Sequence, residues 1–431
     1  MLTIKPRQLR LIRRLARVRR PPTPFDGPLS SRGHHRLEHT GGGRLIFHTS
    51  DNRISVTSQL HTSDDDVPWI RLLEPRNLHY LRFLEEGGSL SLSLESPRCV
   101  SLRKNFLGDP PSPTFRYPLY CFRTDVSPPL VDMNTATVNW QPINFGLLKE
   151  SLQWITRANE SEQHPSPLNT ISFLQDSRAV GYRKRVHLQI CSIPTPFPIH
   201  LNTSDAARLL VWLRIVALDA KELADEDKTA KSDHPEMGEV GLDESNGRRI
   251  YLFRTPCRRH TIQVLSSPHP CPTAYQDRAN RSEATVHWTM NRKEIQTAAR
   301  CLQVFRDCKV QLQGNAGIGD RVYLSFVKEE KHTPLGHLST VVDNTCAQPP
   351  AFGFQCSPSD LFAAVSLHNG KTITFRFLGD ESLLVLESRA TPVDTHPPLI
   401  FTAVIRVRSQ MTQAADDVAE KAALENLVES T

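Results

Sequence analysis

Residues 285–290 alternate strictly. Val286, Trp288 and Met290 point one way and Thr285, His287 and Thr289 the other, the period-two signature of a half-buried strand. Asn291 can then cap a helix, with Glu294 at its third position. Ile295, Ala298, Ala299, Leu302 and Phe305 recur at three- and four-residue steps, as one apolar helix face requires, and Arg292, Lys293, Gln296 and Arg300 fall largely off it. Strands are predicted over 309–313 and 322–327, joined as a hairpin by residues 314–320. Two short strands, 249–253 and 261–265, precede this strand–helix–strand–strand block, and a Pro-containing, turn-rich stretch, 266–284, links them to it.

The same reading carries along the rest of the chain. Strands are expected at 44–48 and 53–60, and a short helix at 66–73 behind the acid triplet Asp64, Asp65 and Asp66, with Pro68 in its first turn. Leu90, Leu92 and Leu94 alternate with serines as an amphipathic strand, and further strands follow at 97–106, 116–124 and 137–141. A second helix spans 142–158. Ile143, Leu147, Leu148, Leu152 and Ile155 form its core side, and Lys149, Gln153 and Arg157 line another stripe. Strands are expected at 170–174, 185–190 and 209–218. Residues 219–247 hold ten acids against three lysines and no aromatic residue, which predicts a solvated insertion whose flanking strands pair as a hairpin. A strand at 351–355, a helix at 357–368, strands at 371–378, 382–388 and 399–407, and a short tail at 409–431 complete the order.

Composition changes this picture in three places. At 431 residues the chain has room for two or three domains. Its net charge of +6 permits a polyanionic partner without demanding one. No run approaches the roughly 20 apolar residues of a membrane helix, so no membrane partner is expected. The nine cysteines form no C-x-x-C pair and read as reduced thiols of an intracellular protein. Met1 to Arg20 carries eight cations and no acid. A presequence, a nuclear-import or nucleic-acid arm and a misread leader all fit that pattern; a disordered basic arm, continued by the Pro/Gly/His-rich residues 21–43, is preferred.

Strand–helix–strand–strand–strand, repeated, is the plan of the DNA sliding clamp. The expectation is therefore an α+β, PCNA-like DNA-clamp fold: two domains built from β-α-β-β-β repeats, with helices on the concave face and sheets outside. The domains are drawn at 51–265 and 285–408, after a disordered arm, 1–50, and around a connector, 266–284. Four segments carry a more specific likeness: Leu90 to Arg98 (LSLSLESPR), Arg249 to His260 (RIYLFRTPCRRH), Gly319 to Glu330 (GDRVYLSFVKEE) and Leu399 to Ile405 (LIFTAVI). In order and spacing the chain resembles the Rad nine-like subunits of the heterotrimeric checkpoint clamp, the nine-one-one complex. A Rad one-like sister is the close rival, through Ile143 to Leu152 and Pro97 to Val100.

That resemblance implies a nuclear scaffold for DNA-damage checkpoint and repair. Its partners would be two sister clamp subunits, a clamp loader and double-stranded DNA read without sequence preference. The family's long Ser-rich tail is matched here only by Ser409, Thr412, Ser430 and Thr431. A clamp needs cations that reach phosphates rather than base edges. The candidates are Lys149, Arg157, Arg292, Lys293 and Arg300, with Arg71 on the expected 66–73 helix; the 357–368 helix offers no base. Ring closure needs open edge strands, expected near 384–386 and 115–122.

No enzyme and no cofactor are expected. Gly314, Gly317 and Gly319 join two strands and open no helix, so they lack a phosphate loop's context. Cys257, His260, His269 and Cys271 sit among prolines with no ligand knuckle. Exonuclease chemistry would need carboxylates converging from separate elements beside Asp64, Asp65 and Asp66, and the sequence does not display that set.

Overall fold

The computed structural model describes residues 2–18, 35–51, 53–62, 69–73, 89–96, 99–105, 115–122, 138–158, 167–183, 185–191, 193–226, 236–244, 247–284, 286–302, 308–314, 321–328, 334–341, 352–368, 370–379, 381–389 and 399–409. One five-element phrase recurs through them. It runs β1 (Leu2–Ile4), α1 (Pro6–Ala16), β2 (His35–Gly41), β3 (Arg44–Ser50) and β4 (Ile54–His61). The second copy has β5 (Trp69–Leu73), β6 (Ser89–Ser96), β7 (Cys99–Asn105) and β8 (Phe115–Phe122), with residues 74–88 outside the described set. The third is β9 (Gln141–Asn144), α2 (Phe145–Ala158), β10 (Thr170–Phe173), β11 (Arg178–Arg183) and β12 (Val186–Cys191). The fourth is β13 (Ile199–Asn202), α3 (Thr203–Glu226), β14 (Met237–Asp243), β15 (Ile250–Arg254) and β16 (His260–Leu265). A linking helix, α4 (Ala274–Arg281), precedes the fifth: β17 (Val286–Asn291), α5 (Arg292–Leu302), β18 (Cys308–Gly314), β19 (Arg321–Lys328) and β20 (Pro334–Val341). The sixth is β21 (Phe352–Cys356), α6 (Pro358–Leu367), β22 (Thr372–Leu378), β23 (Leu383–Arg389) and β24 (Ile400–Arg406), and a two-residue β25 (Arg408–Ser409) ends the described chain.

Consecutive copies interlock by exchanging first strands. β1 pairs with β6 and β5 with β2; β9 pairs with β14 and β13 neighbours β10; β17 pairs with β22 and β21 with β18. The last strands then join one pair of copies to the next. β4 pairs antiparallel with β16, His260 opposite Ser58, and β12 pairs with β24, Val186 opposite Ile405. Among the described residues, two last strands have no such mate. β20 ends its sheet, and β8, held by β7 on one side, meets β5 only through Cys121 and Phe122. Both contain a proline, Pro118 and Pro334, which a sheet tolerates at an edge because no ladder donor is lost. Residues 115–122 form β8, which lies between β7 and β5 rather than at the end of a sheet and pairs with β5 only at Cys121 and Phe122, leaving the rest of that side open among the described residues; 384–386 lies in β23, flanked by β22 and β24, and is no edge.

The chain packs as two units, Met1–Gln153 with Leu201–Pro268, and Trp154–His200 with His269–Thr431. The first holds a sheet of 12 strands, the second sheets of 8 and 5. The first unit's core includes Phe47, Val56, Trp212, Tyr251 and Phe253; the second's includes Phe173, Trp288, Ile295, Phe375 and Phe377. β10 is buried throughout although its sequence alternates as Thr-Ile-Ser-Phe, and on its polar side Ser172 Oγ accepts from the Cys271 amide at 2.8 Å. Gly238 of β14 lies so close beneath the Phe145 ring that a Cβ there would fall 2.2 Å from it, which is why the strand carries no side chain at that step.

Several elements depart from the sequence-based expectation, among them the strand β14 inside the predicted insertion 219–247 and the helix α4 inside the connector 266–284. Residues 1–50 are not a disordered arm throughout, since α1, β2 and β3 lie in them. Pro6 opens α1, the Lys5 amide donates to Gln8 Oε1 at 2.9 Å, and Leu9, Leu11, Ile12 and Leu15 are buried. Residues 203–226 are one helix, not a strand followed by a solvated loop; Trp212, Leu209 and Val216 are buried while Asp219 and Glu222 face α1. Residues 69–73, expected in a helix, are the strand β5. The Gly314 hairpin reading holds: β18 and β19 pair antiparallel.

Three buried histidines weaken the fold in acid. Burial, reinforced by a nearby arginine, lowers His48 and His187 from 6.5 to about 4 and His368 to about 3. The unfolded chain therefore takes up protons that the folded chain refuses between pH 6.5 and those values. Stability should fall with pH across this window, by about 1.4 kcal/mol per pH unit for each ring. The Asp205 carboxyl, raised by burial, works in the opposite sense as it protonates. Urea midpoints should decline steadily from pH 7 to pH 4.5; flat midpoints would contradict the burial.

Candidate nucleic-acid interface

Helix α5 presents a clean polar face. Ile295 and Ala299 are buried, while Lys293, Thr297 and Arg300, four and then three residues apart, are exposed along one line. The Asn291 side chain caps the helix, accepting from the Lys293 amide at 2.9 Å. Arg292 departs from that line. It is half-buried and its Nη1 donates to the His368 carbonyl at the end of α6. His368 Nδ1 in turn lies 2.6 Å from Ser388 Oγ. The Arg292 guanidinium thus fastens α5 to α6 instead of standing free for a phosphate.

In α2 the core side is Leu147, Leu148, Leu152 and Ile155, and Ser151 Oγ donates to the Leu147 carbonyl at 2.6 Å. Lys149 and Gln153 are half-buried on the opposite side beside exposed Glu150. Arg157 lies in the last turn of α2, and its side chain is outside the described residues. Arg71 lies on β5, a strand, so it belongs to no helix face.

Two cations that the sequence reading passed over stand on α3. Val211, Arg214, Leu218, Lys221 and Asp225 are exposed at steps of three and four, the solvent-facing stripe of that helix. Reading 209–218 as a strand hid them. Among the described residues, none of Lys149, Arg214, Lys221, Lys293 and Arg300 pairs with a carboxylate. The arginines of α1 behave otherwise. Arg14 Nη1 meets Glu222 Oε1 at 2.8 Å, Arg10 reaches the same carboxylate at 3.7 Å, and Arg7 lies 3.9 Å from Asp219. Asp219 and Glu222 of α3 thus lie against three of the four arginines of α1. Helix α6 exposes only Ser359 and has no base. Lys149, Arg214 and Lys221 belong to the first unit, and Lys293 and Arg300 to the second.

One constellation invites a catalytic reading. Ser58 Oγ lies 2.9 Å from His260 Nδ1, and His260 Nε2 lies 3.2 Å from Asp219 Oδ2. Burial alone would raise the Asp219 carboxyl; the His260, Arg7 and Arg259 side chains outweigh it and hold it below its usual range. Ser58 is 0% exposed and His260 3%, so no substrate reaches the hydroxyl, and the chain fixes β4, β16 and α3 together. His260 is engaged there and Cys271 is buried, its thiol pushed up to about 12, so the Cys257/His260/His269/Cys271 set is no ligand cluster. Among the described residues no group of three or more potential ligands is placed to hold a metal; Asp64, Asp65 and Asp66 lie outside them.

No protein-family model matches the sequence, and no curated protein matches it. Solved structures do match its fold. The DNA polymerase III beta subunit of Pseudomonas aeruginosa aligns over 94% of this chain and 99% of its own at 12% identity, with a TM-score of 0.65. Caulobacter crescentus pol III beta aligns over 94% and 99% at 14% identity, TM-score 0.66. The Helicobacter pylori beta clamp bound to a DNA ligase peptide aligns over 94% and 99% at 13% identity, TM-score 0.62. At such identities the likeness is one of fold. The chain has the α+β sliding-clamp fold that its repeat order implied, and at least five of its six repeats place a helix after their first strand.

Proposed function

We propose that this chain is a subunit of a ring that encircles duplex DNA and acts as a sliding scaffold, without catalysis of its own. The observation that carries the proposal is the pairing of last strands. The first copy's last strand pairs with the fourth's and the third's with the sixth's. The same rule leaves the fifth copy's β20 to pair with the second copy's β8 of another chain. Head-to-tail pairing of these open edges closes a ring. A ring of three two-domain subunits would contain twelve such repeats; this chain carries six, so two copies suffice. Unpaired helix cations would supply sequence-independent phosphate contacts, and a loader would open the ring. A related clamp is described with a DNA ligase peptide bound, which supports the scaffold reading.

The second reading keeps the checkpoint role. It draws on the likeness of 249–260, 319–330 and 399–405 to Rad nine-like subunits. There β8 and β20 would meet two sister subunits, one of them Rad one-like, in a nuclear heterotrimer serving DNA-damage checkpoint and repair. Sedimentation equilibrium of the purified chain separates the two: twice the chain's mass of 48.7 kDa supports self-closure, and a monomer that assembles only with sister chains supports the heterotrimer. A chain that associates in neither way contradicts both.

A further inference from the structure

The hairpin loop between β15 and β16, Thr255–Arg259, stands beside two adjoining clefts of the first unit. One is an apolar slot of about 60 Å³ lined by Val216, Ala220, Leu223, Met237 and Pro256. The other is a polar cleft of about 380 Å³ with Lys5, Arg7, His61 and Arg259 in its wall. Asp219, Leu223 and Arg259 border both, so the two adjoin as parts of one recess in the surface. Its cations are Lys5, Arg7 and Arg259, against the single carboxylate of Asp219, which already accepts from His260.

We infer that this recess binds an extended peptide segment with an aliphatic side chain beside acidic residues. The slot's size selects the anchor. At roughly 10–15 Å³ per enclosed heavy-atom-sized sphere, it holds about four to six such atoms, a Leu, Ile or Met side chain and not a Trp. Met237, 44% exposed, forms a lip that such an anchor would cover. Arg259, which borders both clefts, is placed to receive a carboxylate that flanks such an anchor. The occupant is thus a partner's acidic–aliphatic segment, not a nucleic acid, which offers no aliphatic anchor. The inference does not rest on the DNA reading of the helix faces.

The test uses the full chain and a fluorescein-labelled peptide, Gly-Asp-Asp-Leu-Asp-Asp-Gly, read by anisotropy at low salt. The expected dissociation constant is in the range of about 10–100 µM, as small recesses give. Replacing the peptide's Asp residues by Asn, or its Leu by Gly, should weaken binding at least about tenfold. Arg259→Ala should do the same from the protein side, and Ala220→Leu should do so by filling the slot, each with an unchanged thermal midpoint. If Ala220→Leu lowers that midpoint, the Arg259→Ala and Asn-peptide arms decide. No binding below 1 mM, equal binding of the Asn peptide, or full binding by both variants overturns the inference.

Discussion

With proline at the outward-facing position of β20, the chain stays folded and stops associating through its edges. In an antiparallel ladder, successive residues direct their N–H groups alternately to the paired strand and to the open side. β20 pairs with β19 on one side only. Of the single variants His337→Pro and Leu338→Pro, one therefore breaks the β19–β20 ladder, and the other removes only an unpaired donor and adds a ring at the edge. The outward variant should keep its urea midpoint and lose association by about 2–3 kcal/mol, roughly 30- to 150-fold, from one lost hydrogen bond plus the steric block. Sedimentation velocity reads the change. If both variants associate like the parent chain, β20 is not the closing edge.

The second large effect is electrostatic. Reversing Lys149, Arg214, Lys221, Lys293 and Arg300 to Glu should flatten the dependence of DNA affinity on salt, by up to about 0.9 in log–log slope for each phosphate no longer neutralised. Assembly should survive, because none of these residues lies on β8 or β20. Arg292→Ala serves as the contrast. It removes the guanidinium that holds the His368 carbonyl, so the thermal midpoint should fall while the salt slope stays. Filter binding from 50 to 300 mM salt, run beside thermal melts, separates the two. An unchanged slope in the five-site variant would show that these helix faces do not touch DNA.

The residues that carried the fold in the sequence are the plain ones. The alternation at 285–290, the apolar steps of Ile295 and Ala299, and the runs at 185–190 and 399–407 each state one period without competition. Two of the misreadings are linked. Arg7, Arg10, Arg13 and Arg14 outweighed the apolar face of Leu9, Ile12 and Leu15, so α1 read as an arm. Leu209–Leu218 is apolar except for Arg214, and so apolar a run looks the same in a buried strand and in a helix. Each charge pattern makes sense only against the other helix, where Arg14 meets Glu222 and Arg7 approaches Asp219, and single-segment reading has no access to such a partner. The candidate cations divided along the same line. Lys293 and Arg300 were legible from helical spacing. Arg292 was not, because its carbonyl partner comes from α6, and Arg214 and Lys221 vanished with their helix.

Closed through β8 and β20, the ring should be trapped on DNA that has no end. Registering β8 against β20 as β12 registers against β24 brings Tyr117 close to Leu338, so a Tyr117→Cys/Leu338→Cys variant places two thiols for a short bismaleimide bridge. Cross-linked in the presence of a nicked plasmid circle, the protein should co-elute with the circle in 1 M NaCl and leave it once a restriction enzyme linearises the DNA. Release from the intact circle in 1 M NaCl, or retention after linearisation, would contradict a ring closed around the duplex.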